Sequence, residues 1–308
     1  MVNKIDKKKQ LLLILKENRF PVSGERLSQY LNISRVAVWK HVRSLEKAGY
    51  SIESSRKGYL LNPIKDLLIP WEIPDTGFRI NHFREIDSTM ETARKIAEAG
   101  CNEVVVSERQ NRGRGRLKRK WNSPYGGLYF TIVLKSGIPA VYSYLYNFAA
   151  ASVTAHILNE HFSIPATVKW PNDILVGDRK IAGVLLEIKG ESSCLESLNI
   201  GIGINVNNIP EDKKACSMKL LKNREYARKD VLYYFLVFFR KMISDIFSAN
   251  IVDFWKRYSS TQGKKVRITS IDKTITGTAV GIGSGGSLLI KEKSGEIIPA
   301  IFGDCHYL

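Results

Sequence analysis

The chain has 308 residues, 44% of them hydrophobic, which predicts two or three domains with real cores and excludes a disordered chain. Its 47 Lys and Arg against 30 Asp and Glu give a net charge of +17, which attracts polyanions but is equally compatible with a surface that only solubilises. The four scattered cysteines, the charged start and the lack of an apolar run of roughly 18 residues predict a reduced, soluble, cytoplasmic protein without a disulfide framework, leader or membrane span.

Residues 1–63 are the most basic part of the chain and predict a winged helix-turn-helix domain. They hold 13 basic and 5 acidic residues, a net charge of +8. Apolar residues recur with helical spacing in three stretches, separated by turns at Pro21–Ser23 and Asn32–Ser34, with Ser34 as a candidate N-cap of the third helix. Short segments around Ile52 and Leu60 then flank a basic tip, as the strands of a wing do.

The second helix of such a turn enters the major groove of DNA, and the wing reaches phosphate. The residues predicted to contact DNA from this helix and from the wing tip are Ser34, Arg35, Val36, Trp39, Lys40, His41, Arg43, Arg56 and Lys57. The basic charge favours operator DNA as the partner, whereas small winged helices also serve as protein-interaction modules. These residues do not specify a base sequence.

Prolines punctuate residues 64–77, which predicts a linker, and an α/β domain is predicted over residues 78–261. Its predicted strands are Glu103–Val106, Leu128–Leu134, Val184–Ile188 and Leu198–Val206. Helices are predicted near residues 88–99, 142–162 and 228–249. This alternation predicts a mixed sheet packed on helices, and the fold class of the whole chain is therefore α+β, or mixed α/β.

Residues 262–308 change to short strands with glycine turns, which predicts a small SH3-like β-barrel. Its predicted strands are Val266–Ile271, Thr276–Ile282, Ser287–Lys291 and Ile297–Phe302. Gly281–Gly286 matches the dinucleotide fingerprint G-x-G-x-x-G, but that fingerprint must open a helix within a βαβ unit. A hairpin turn is predicted here instead.

A loop rich in glycine and arginine, Gly113–Arg116, is the first candidate for chemistry. Six of the nine residues from Arg112 to Lys120 are basic. Glycine lets the backbone approach a ligand, and arginine offers forked donors that suit carboxylate and phosphate. The chain has no P-loop pattern, so a nucleotide here would be held by arginines and lysines. On composition alone, a patch for nucleic acid is the alternative.

Several separated motifs favour a nucleotide-dependent enzyme over that patch. In chain order they are Asp87–Thr89, Gln110, the glycine–arginine loop, Lys169–Asp173 with a hairpin to Gly183, and Gly201–Asn205. Together they resemble the biotin protein ligase family over residues 83–206, and the flanking domains resemble those of its bifunctional members that repress the biotin operon. The resemblance implies that biotin and ATP form biotinyl-5′-AMP and pyrophosphate, and that biotin passes to a lysine of a biotin carboxyl carrier protein.

The resemblance also implies roles for individual residues. As catalytic residues, Lys180 stands between carboxylate and α-phosphate, Arg116 clamps the adenylate, and Asp173 orients lysines, binds metal or activates the acceptor amine. The residues implied in biotin binding are Ser88, Thr89, Gln110, Gly113, Arg114, Gly115, Arg116, Lys180, Gly183, Gly201 and Gly203. Those implied in ATP binding are Arg119, Trp121, Lys169, Asn172, Lys180 and Asn205. Mg²⁺ accompanies ATP, without a dedicated protein site.

Two positions depart from the family pattern. Lys118 stands where the family usually has glycine, so the loop must fold differently if that position needs a positive φ. Met90 stands where asparagine is common. In addition, Ser88-Thr89-Met90-Glu91 is a capping box for the next helix, a role that can coexist with ligand contact.

Two alternatives to the ligase remain open: a transcription factor that senses biotin without chemistry, and a lipoate or octanoate ligase of the same superfamily. Lys180, Arg116 and Asn172 favour an enzyme, and the Lys-Trp-Pro-Asn-Asp and Gly-Arg-Gly-Arg motifs favour biotin. Because two-fold related half-sites normally supply DNA affinity, the joined domains predict a homodimer on operator DNA with biotinyl-5′-AMP as corepressor.

Overall fold

A computed structural model describes residues 7–62, 66–97, 102–135, 139–190, 195–247, 250–270 and 273–308. The chain divides into two compact units, residues 1–69 and 70–308. No helix among the described residues is long and apolar enough to cross a membrane. Cys216 and Cys305 are free, buried thiols. Cys101, Cys194 and residues 63–65, which include the start of the predicted linker, lie outside the described residues.

The first unit consists of helices and a two-stranded wing, which confirms the predicted helix-turn-helix. Its elements are α1 (Lys7–Glu17), α2 (Gly24–Leu31), α3 (Arg35–Lys47), β1 (Ile52–Ser55) and β2 (Gly58–Leu61). The hydroxyl of Ser34 accepts a 3.2 Å hydrogen bond from the Ala37 amide, so Ser34 is the N-cap of α3. Two backbone hydrogen bonds of 2.9 Å between Val22 and Tyr59 tie the wing to the turn before α2.

A mixed sheet forms the centre of the second unit. Its strands are β3 (Arg79–Phe83), β4 (Glu103–Ser107), β5 (Leu128–Lys135), β6 (Thr167–Lys169), β7 (Asp173–Val176), β8 (Arg179–Gly190) and β9 (Leu195–Ile204). They lie in the order β3-β4-β5-β9-β8-β7-β6. The β3–β4 pair is parallel and the other pairs are antiparallel. The predicted strands of this domain are all present, and β8 is longer than predicted.

Helices of the second unit pack on the sheet and contribute apolar residues to its core. They are α4 (Thr89–Ala97), α5 (Ser143–Glu160), α6 (Met218–Lys222), α7 (Arg228–Ile243) and α8 (Ile251–Tyr258). Helix α5 is apolar on nearly all sides, as expected of a helix buried within a core. Phe148 of α5 stacks on Trp255 of α8 at 4.9 Å. The predicted helix near 228–249 ends at Ile243, residues 244–247 form a turn, and residues 248–249 lie outside the described residues. Helices α6 and α8 were not predicted.

The C-terminal residues form an antiparallel sheet where the sequence predicts the small SH3-like β-barrel, and this part of the chain is called the barrel below. Its strands are β10 (Lys265–Thr269), β11 (Thr274–Ile282), β12 (Leu288–Lys291), β13 (Ile297–Ala300) and β14 (Asp304–Tyr307), in the order β13-β12-β11-β10-β14. Gly285 and Gly286 have φ angles of 65° and 77° in a short turn between β11 and β12. The glycine pattern is therefore a turn between strands, as predicted. Strand β14 was not predicted, and Ile271 of the predicted first strand lies outside the described residues.

A buried ion pair joins α7 to the end of β4. Arg228 Nη2 lies 2.6 Å from Glu108 Oε2, and His82 Nε2 lies 3.0 Å from the other carboxylate oxygen. Arg228 Nη1 also donates to the Gly127 carbonyl at 2.9 Å. Both side chains are at least 93% buried, so neither charge has bulk water to replace its partner.

We expect Arg228→Met to lower the free energy of unfolding of the second unit by about 3 kcal/mol, because the Glu108 carboxylate would lose its cationic partner while buried. Urea unfolding of the full chain measures this change. The control is Lys189→Met, which removes a 3.8 Å pair with Glu196 that is 65% exposed on both sides and should cost less than about 1 kcal/mol. Equal losses in the two variants would contradict a structural role for the buried pair.

Candidate active site

A cavity of about 510 Å³ lies in the second unit, within the size range of small-molecule sites. Its walls come from the start of α4, the glycine–arginine loop, residues 169–173, β8, β9 and the barrel strand β14. The predicted site residues that line it are Thr89, Gln110, Arg114, Gly115, Arg116, Arg119, Trp121, Lys169, Asn172, Asp173, Lys180, Gly183, Gly201, Gly203 and Asn205. Residues that the sequence predicted from separate motifs therefore meet at one cavity.

Ser88 and Gly113 are the predicted site residues that do not line the cavity. A Cβ atom on Gly113 would lie 2.4 Å from the Trp121 carbonyl oxygen, so this glycine permits a close approach within the loop. Ser88 is 99% buried, and its hydroxyl has no hydrogen-bond partner among the described residues. The predicted capping box is therefore wrong, because Ser88 Oγ does not accept a hydrogen bond from the helix.

Gln110 caps the first turn of α4 instead. Its Oε1 accepts a 2.8 Å hydrogen bond from the Thr89 amide and a 3.0 Å bond from the Thr89 hydroxyl. Thr131 donates to the same hydroxyl at 2.9 Å, and Gln110 Nε2 donates to Ser123 at 2.9 Å. This network fixes a polar corner of the cavity at a helix N-terminus, where the helix dipole favours a negatively charged or polar group.

The glycine–arginine loop folds as a tight hairpin. Arg114 pairs with Lys120, and the Gly115 amide donates to the Arg119 carbonyl at 2.8 Å. At its tip Leu117 and Lys118 have φ angles of 53° and 59°, both left-handed. Lys118 thus adopts the positive φ that glycine favours, so the loop holds a non-glycine residue in this conformation.

Cationic side chains converge on the cavity, and acceptors from different elements hold them. Lys180 Nζ lies 2.6 Å from Asp173 Oδ1 and 5.1 Å from the centre of the Trp121 ring. Arg116 donates to Asn172 Oδ1 at 3.1 Å and to the Gly303 carbonyl at 3.2 Å. The remaining ion pairs are Arg114 with Glu91 and Arg119 with Asp304.

Small residues on β8 and β9 make room in the cavity floor. Gly183 pairs with Gly203 in the register of the two strands. Added Cβ atoms would lie 3.2 Å and 2.5 Å from the Trp121 indole, so the two glycines form the surface on which this ring lies. A Cβ atom on Gly201 would lie 2.7 Å from the sulfur of Met90. The predicted glycine floor is thus in contact with Trp121 and Met90, and Met90 itself lines the cavity.

The environment shifts the pKa of several ionisable groups at the cavity. Burial lowers the pKa of the Arg116 guanidinium, an effect that Asp304 and Asp173 oppose. The hydrogen bond from Arg119 lowers the pKa of Asp304, which burial opposes. A carboxylate with a lowered folded-state pKa adds stability above its unfolded pKa, and that stability is lost as pH falls through the folded value. The Arg119–Asp304 pair is therefore fully formed at neutral pH.

The predicted nucleotide side is held partly by the barrel. Lys169 Nζ lies 4.7 Å from the centre of the Tyr307 ring, and Asn172 Nδ2 donates to the Val184 carbonyl at 2.6 Å. Asn205 Oδ1 accepts from Asn208 at 2.9 Å. The sequence did not predict the lining residues Asp304, Cys305, His306, Glu211 and Asp212, since none of them belongs to a recognisable motif.

The predicted DNA-contacting residues lie on one helix and one turn of the first unit. Val38, Val42 and Leu45 form the buried stripe of α3. On the outer part of the helix Val36 and Trp39 are 63% and 49% exposed. Ser34, Arg35, Lys40, Arg43, Arg56 and Lys57 are exposed, and His41 is half-buried. Arg43 also donates to Glu46 at 3.0 Å and lies 5.6 Å from the Trp39 ring, so its side chain is already engaged within the helix.

Family models match three parts of the chain. Residues 82–205 match the biotin/lipoate A/B protein ligase family, residues 7–60 match an HTH domain, and residues 261–306 match the biotin protein ligase C-terminal domain. The bifunctional ligase/repressor BirA of Bacillus subtilis is 32% identical over 293 residues, 89% of this chain and 90% of that protein. The chain belongs to this family of bifunctional ligase/repressors.

Two further proteins are similar to this chain. BirA of Escherichia coli is 29% identical over 96% of this chain and 95% of its own length. The structure of the Aquifex aeolicus biotin protein ligase in complex with biotin and ATP has a TM-score of 0.64 at 29% identity, and it covers 75% of this chain and 98% of its own. The resemblance drawn from the sequence motifs and the predicted fold class are both confirmed.

We expect Asp304→Asn to loosen the tip of the glycine–arginine loop, because Arg119 loses its anionic partner on β14. Tryptic cleavage between Arg112 and Lys120 should accelerate about two- to fivefold, as the loss of a partly exposed ion pair allows. Mass spectrometry of the fragments measures the rate. Asp253→Asn is the control, since Asp253 pairs with Lys256 on the exposed side of α8. Cleavage at the wild-type rate in Asp304→Asn would contradict an anchoring role for Asp304.

Proposed function

We propose that this chain is an ATP-dependent biotin protein ligase and a biotin-responsive repressor. In the first step a carboxylate oxygen of biotin bonds to the α-phosphorus of ATP, and the bond from that phosphorus to pyrophosphate breaks. In the second step the amine of a lysine on a biotin carboxyl carrier protein bonds to the acyl carbon, and AMP leaves. The proposal follows the family of the chain and the composition of the cavity.

The single observation that carries the enzymatic part is Lys180 in the cavity, 2.6 Å from Asp173 and 5.1 Å from the centre of the Trp121 ring, with Arg116 lining the same cavity. Two unit negative charges about 4 Å apart repel by roughly 4 kcal/mol at an effective dielectric of 20, so a carboxylate does not meet a phosphate without fixed cations. Lys180 is one such cation, restrained by Asp173 before any substrate arrives. Preorganised charge of this kind stabilises the transition state.

Within this proposal the two ends of the cavity bind different substrates. The corner formed by Thr89, Gln110 and Arg114 holds the polar groups of biotin, and Gly201 and Gly203 leave space for its rings. The side formed by Arg119, Trp121, Lys169, Asn172 and Asn205 holds ATP. Ser88 precedes Thr89 in the chain, and its buried hydroxyl, which has no partner among the described residues, is available to donate to biotin or accept from it at this corner. Arg116 shields the adenylate from its position between Asn172 and the barrel.

Mg²⁺ is part of the proposal as the companion of the ATP phosphates. No group of three or more His, Cys, Asp and Glu in the described part of the chain could hold a metal. Protein sites for Mg²⁺ commonly use one or two carboxylates together with substrate phosphates. Asp173, Asp212 and Asp304 line the cavity and could supply such carboxylates. The ion would neutralise phosphate charge and so ease the approach of the biotin carboxylate.

The two alternative functions fit the observations less well. A sensor without chemistry has no use for an ordered lysine–carboxylate pair in the cavity, and Lys180 is held in such a pair. The matched central family includes lipoate ligases as well as biotin ligases. The relatives that match over most of the chain are bifunctional ligase/repressors, and the matched C-terminal domain is that of biotin protein ligases. These observations favour biotin.

We expect Lys180→Ala to reduce pyrophosphate release from biotin and ATP by about a hundredfold or more, because the fixed cation between the two anions is lost. Transfer of labelled biotin to a carrier domain should fall equally. Lys189→Ala, on the same strand but 65% exposed, is the control and should retain wild-type rates. A wild-type rate in Lys180→Ala would contradict the catalytic role of Lys180. If the purified wild-type chain released no pyrophosphate, it would be a biotin sensor without catalytic activity.

The repressor part of the proposal assigns DNA binding to residues 1–63, joined by the linker 64–77 to the ligase domain 78–261 and the barrel 262–308. The exposed outer part of α3 and the basic wing tip, Arg56 and Lys57, supply the contacts. One small domain of this type makes few base contacts, so two copies on a two-fold operator supply the affinity. We propose that the homodimer forms with biotinyl-5′-AMP bound, which makes the adenylate a corepressor, and that ATP and the carrier protein place the chain in the cytoplasm.

We expect DNA affinity at fixed salt to rise at least tenfold when biotin and ATP are both present, as for an allosteric coupling of ordinary size. Gel-shift titrations on duplexes selected from a random library measure it, with sedimentation reporting dimerisation. If biotin and ATP left the affinity for DNA unchanged, the proposed coupling between adenylate binding and repression would be wrong.

Lys57→Ala at the wing tip should weaken binding to all duplexes alike and reduce the salt slope by about one phosphate contact.

A further inference from the structure

Glu91 has a contact that its sequence position does not explain. It lies in the first turn of α4, where an acidic residue is favourable to the helix dipole without any partner. In a capping box its carboxylate would turn back to the amide of Ser88. Instead the carboxylate binds the guanidinium of Arg114, 23 residues further along the chain. Arg114 lines the cavity, whereas Glu91 does not.

The Glu91–Arg114 pair joins the loop region to α4 at the biotin corner. A second such contact is made by Gln110, which binds the amide and hydroxyl of Thr89 at the start of the same helix. Gln110 precedes the loop, which begins at Gly113, and Arg114 is within it. The two contacts therefore fix the entrance of the loop and its first arginine against one helical turn.

Helix α4 also forms a second arginine–glutamate pair, which lies away from the cavity. Comparing the two pairs shows whether an effect depends on position at the cavity or only on the loss of an ion pair. Arg94 donates to Glu187 of β8 at 2.6 Å and 2.9 Å. The arginine and glutamate side chains are 49% and 29% exposed, close to the 41% and 33% of Arg114 and Glu91. Arg94 and Glu187 do not line the cavity. This pair can stabilise α4 but has no direct path to a ligand.

We propose that Glu91 is a positioning residue that sets the guanidinium of Arg114 at the cavity wall before biotin binds, an inference that rests on the proposed function. The arginine side chain has many rotamers, and a ligand that must order them binds more weakly. Because Glu91 orders Arg114 in advance, Glu91 contributes to the binding of biotin and not to the attack of the biotin carboxylate on ATP. Glu91 itself does not touch the substrate.

The central test is the steady-state rate of pyrophosphate release by the full chain, with biotin as the varied substrate. Glu91→Ala should raise the KM for biotin about tenfold and change kcat less than about threefold, as loss of preorganisation before the chemical step requires. Glu91→Gln keeps an acceptor but loses the charge, so its KM for biotin should lie between those of the wild type and Glu91→Ala. Glu187→Ala is the matched control and should leave KM within about twofold.

The same substitution in an Arg114→Ala background distinguishes positioning from general support of the helix. If Glu91 acts through Arg114, then Glu91→Ala adds nothing to the KM of Arg114→Ala. If Glu91 only stabilises α4, it raises KM by the same factor in both backgrounds, and the proposal is wrong. Unchanged KM in Glu91→Ala would also overturn it.

A measurement without substrate keeps this test independent of the ligase activity. Tryptic cleavage between Arg112 and Lys120 should be faster in Glu91→Ala than in the wild type and unchanged in Glu187→Ala. If the wild-type chain releases no pyrophosphate, the proposed function fails, and the cleavage rates alone decide whether Glu91 orders the loop. Equal cleavage in the wild type and Glu91→Ala would then refute the positioning role.

Discussion

The cavity brings like charges close together, and acceptors hold four of the six Lys and Arg side chains that line it. Lys180 has Asp173, Arg114 has Glu91 and Arg119 has Asp304. Arg116 instead has two neutral oxygens, from Asn172 and Gly303. Unpaired, these side chains would repel one another and spread into solvent, where they would gain rotamer entropy. The acceptors therefore determine where the cationic charge of the site lies.

These acceptors come from separate elements, which explains why the cavity needs the whole second unit. Glu91 belongs to α4, Asp173 to β7 and Asp304 to β14. The barrel is consequently part of the site and not an appended module. Other contacts bind it there: Trp170 Nε1 donates to the Gly286 carbonyl at 3.1 Å, and the Tyr307 hydroxyl lies 3.0 Å from Thr261. A ligand that alters the loop thus alters a contact with the barrel.

Much of the fold and of the cavity could be predicted from the sequence, because the spacing of apolar residues indicates which segments are buried and the motifs indicate which residues bind ligands. The apolar strands around Val105 and Ile132 and the Lys169–Asp173 motif are of this kind. The ion pairs could not be predicted. Arg119 and Asp304 are 185 residues apart, and a single arginine and a single aspartate form no pattern. The sequence likewise favoured a capping role for Ser88, and it cannot show that Gln110, 21 residues from Thr89, accepts the hydrogen bond from the Thr89 amide.

The tip of the glycine–arginine loop shows how such surroundings override local preference. A residue with a side chain loses roughly 1–2 kcal/mol in the left-handed region, and Leu117 and Lys118 both adopt it. Neither is a residue that favours this conformation, so the strain must be offset outside the two residues. The Gly115–Arg119 hydrogen bond closes the hairpin across them, and Arg119 is fixed in turn by Asp304. The backbone conformation that glycine would adopt freely is here imposed by the contacts on either side, and the loop therefore accommodates the side chains of Leu117 and Lys118 at its tip.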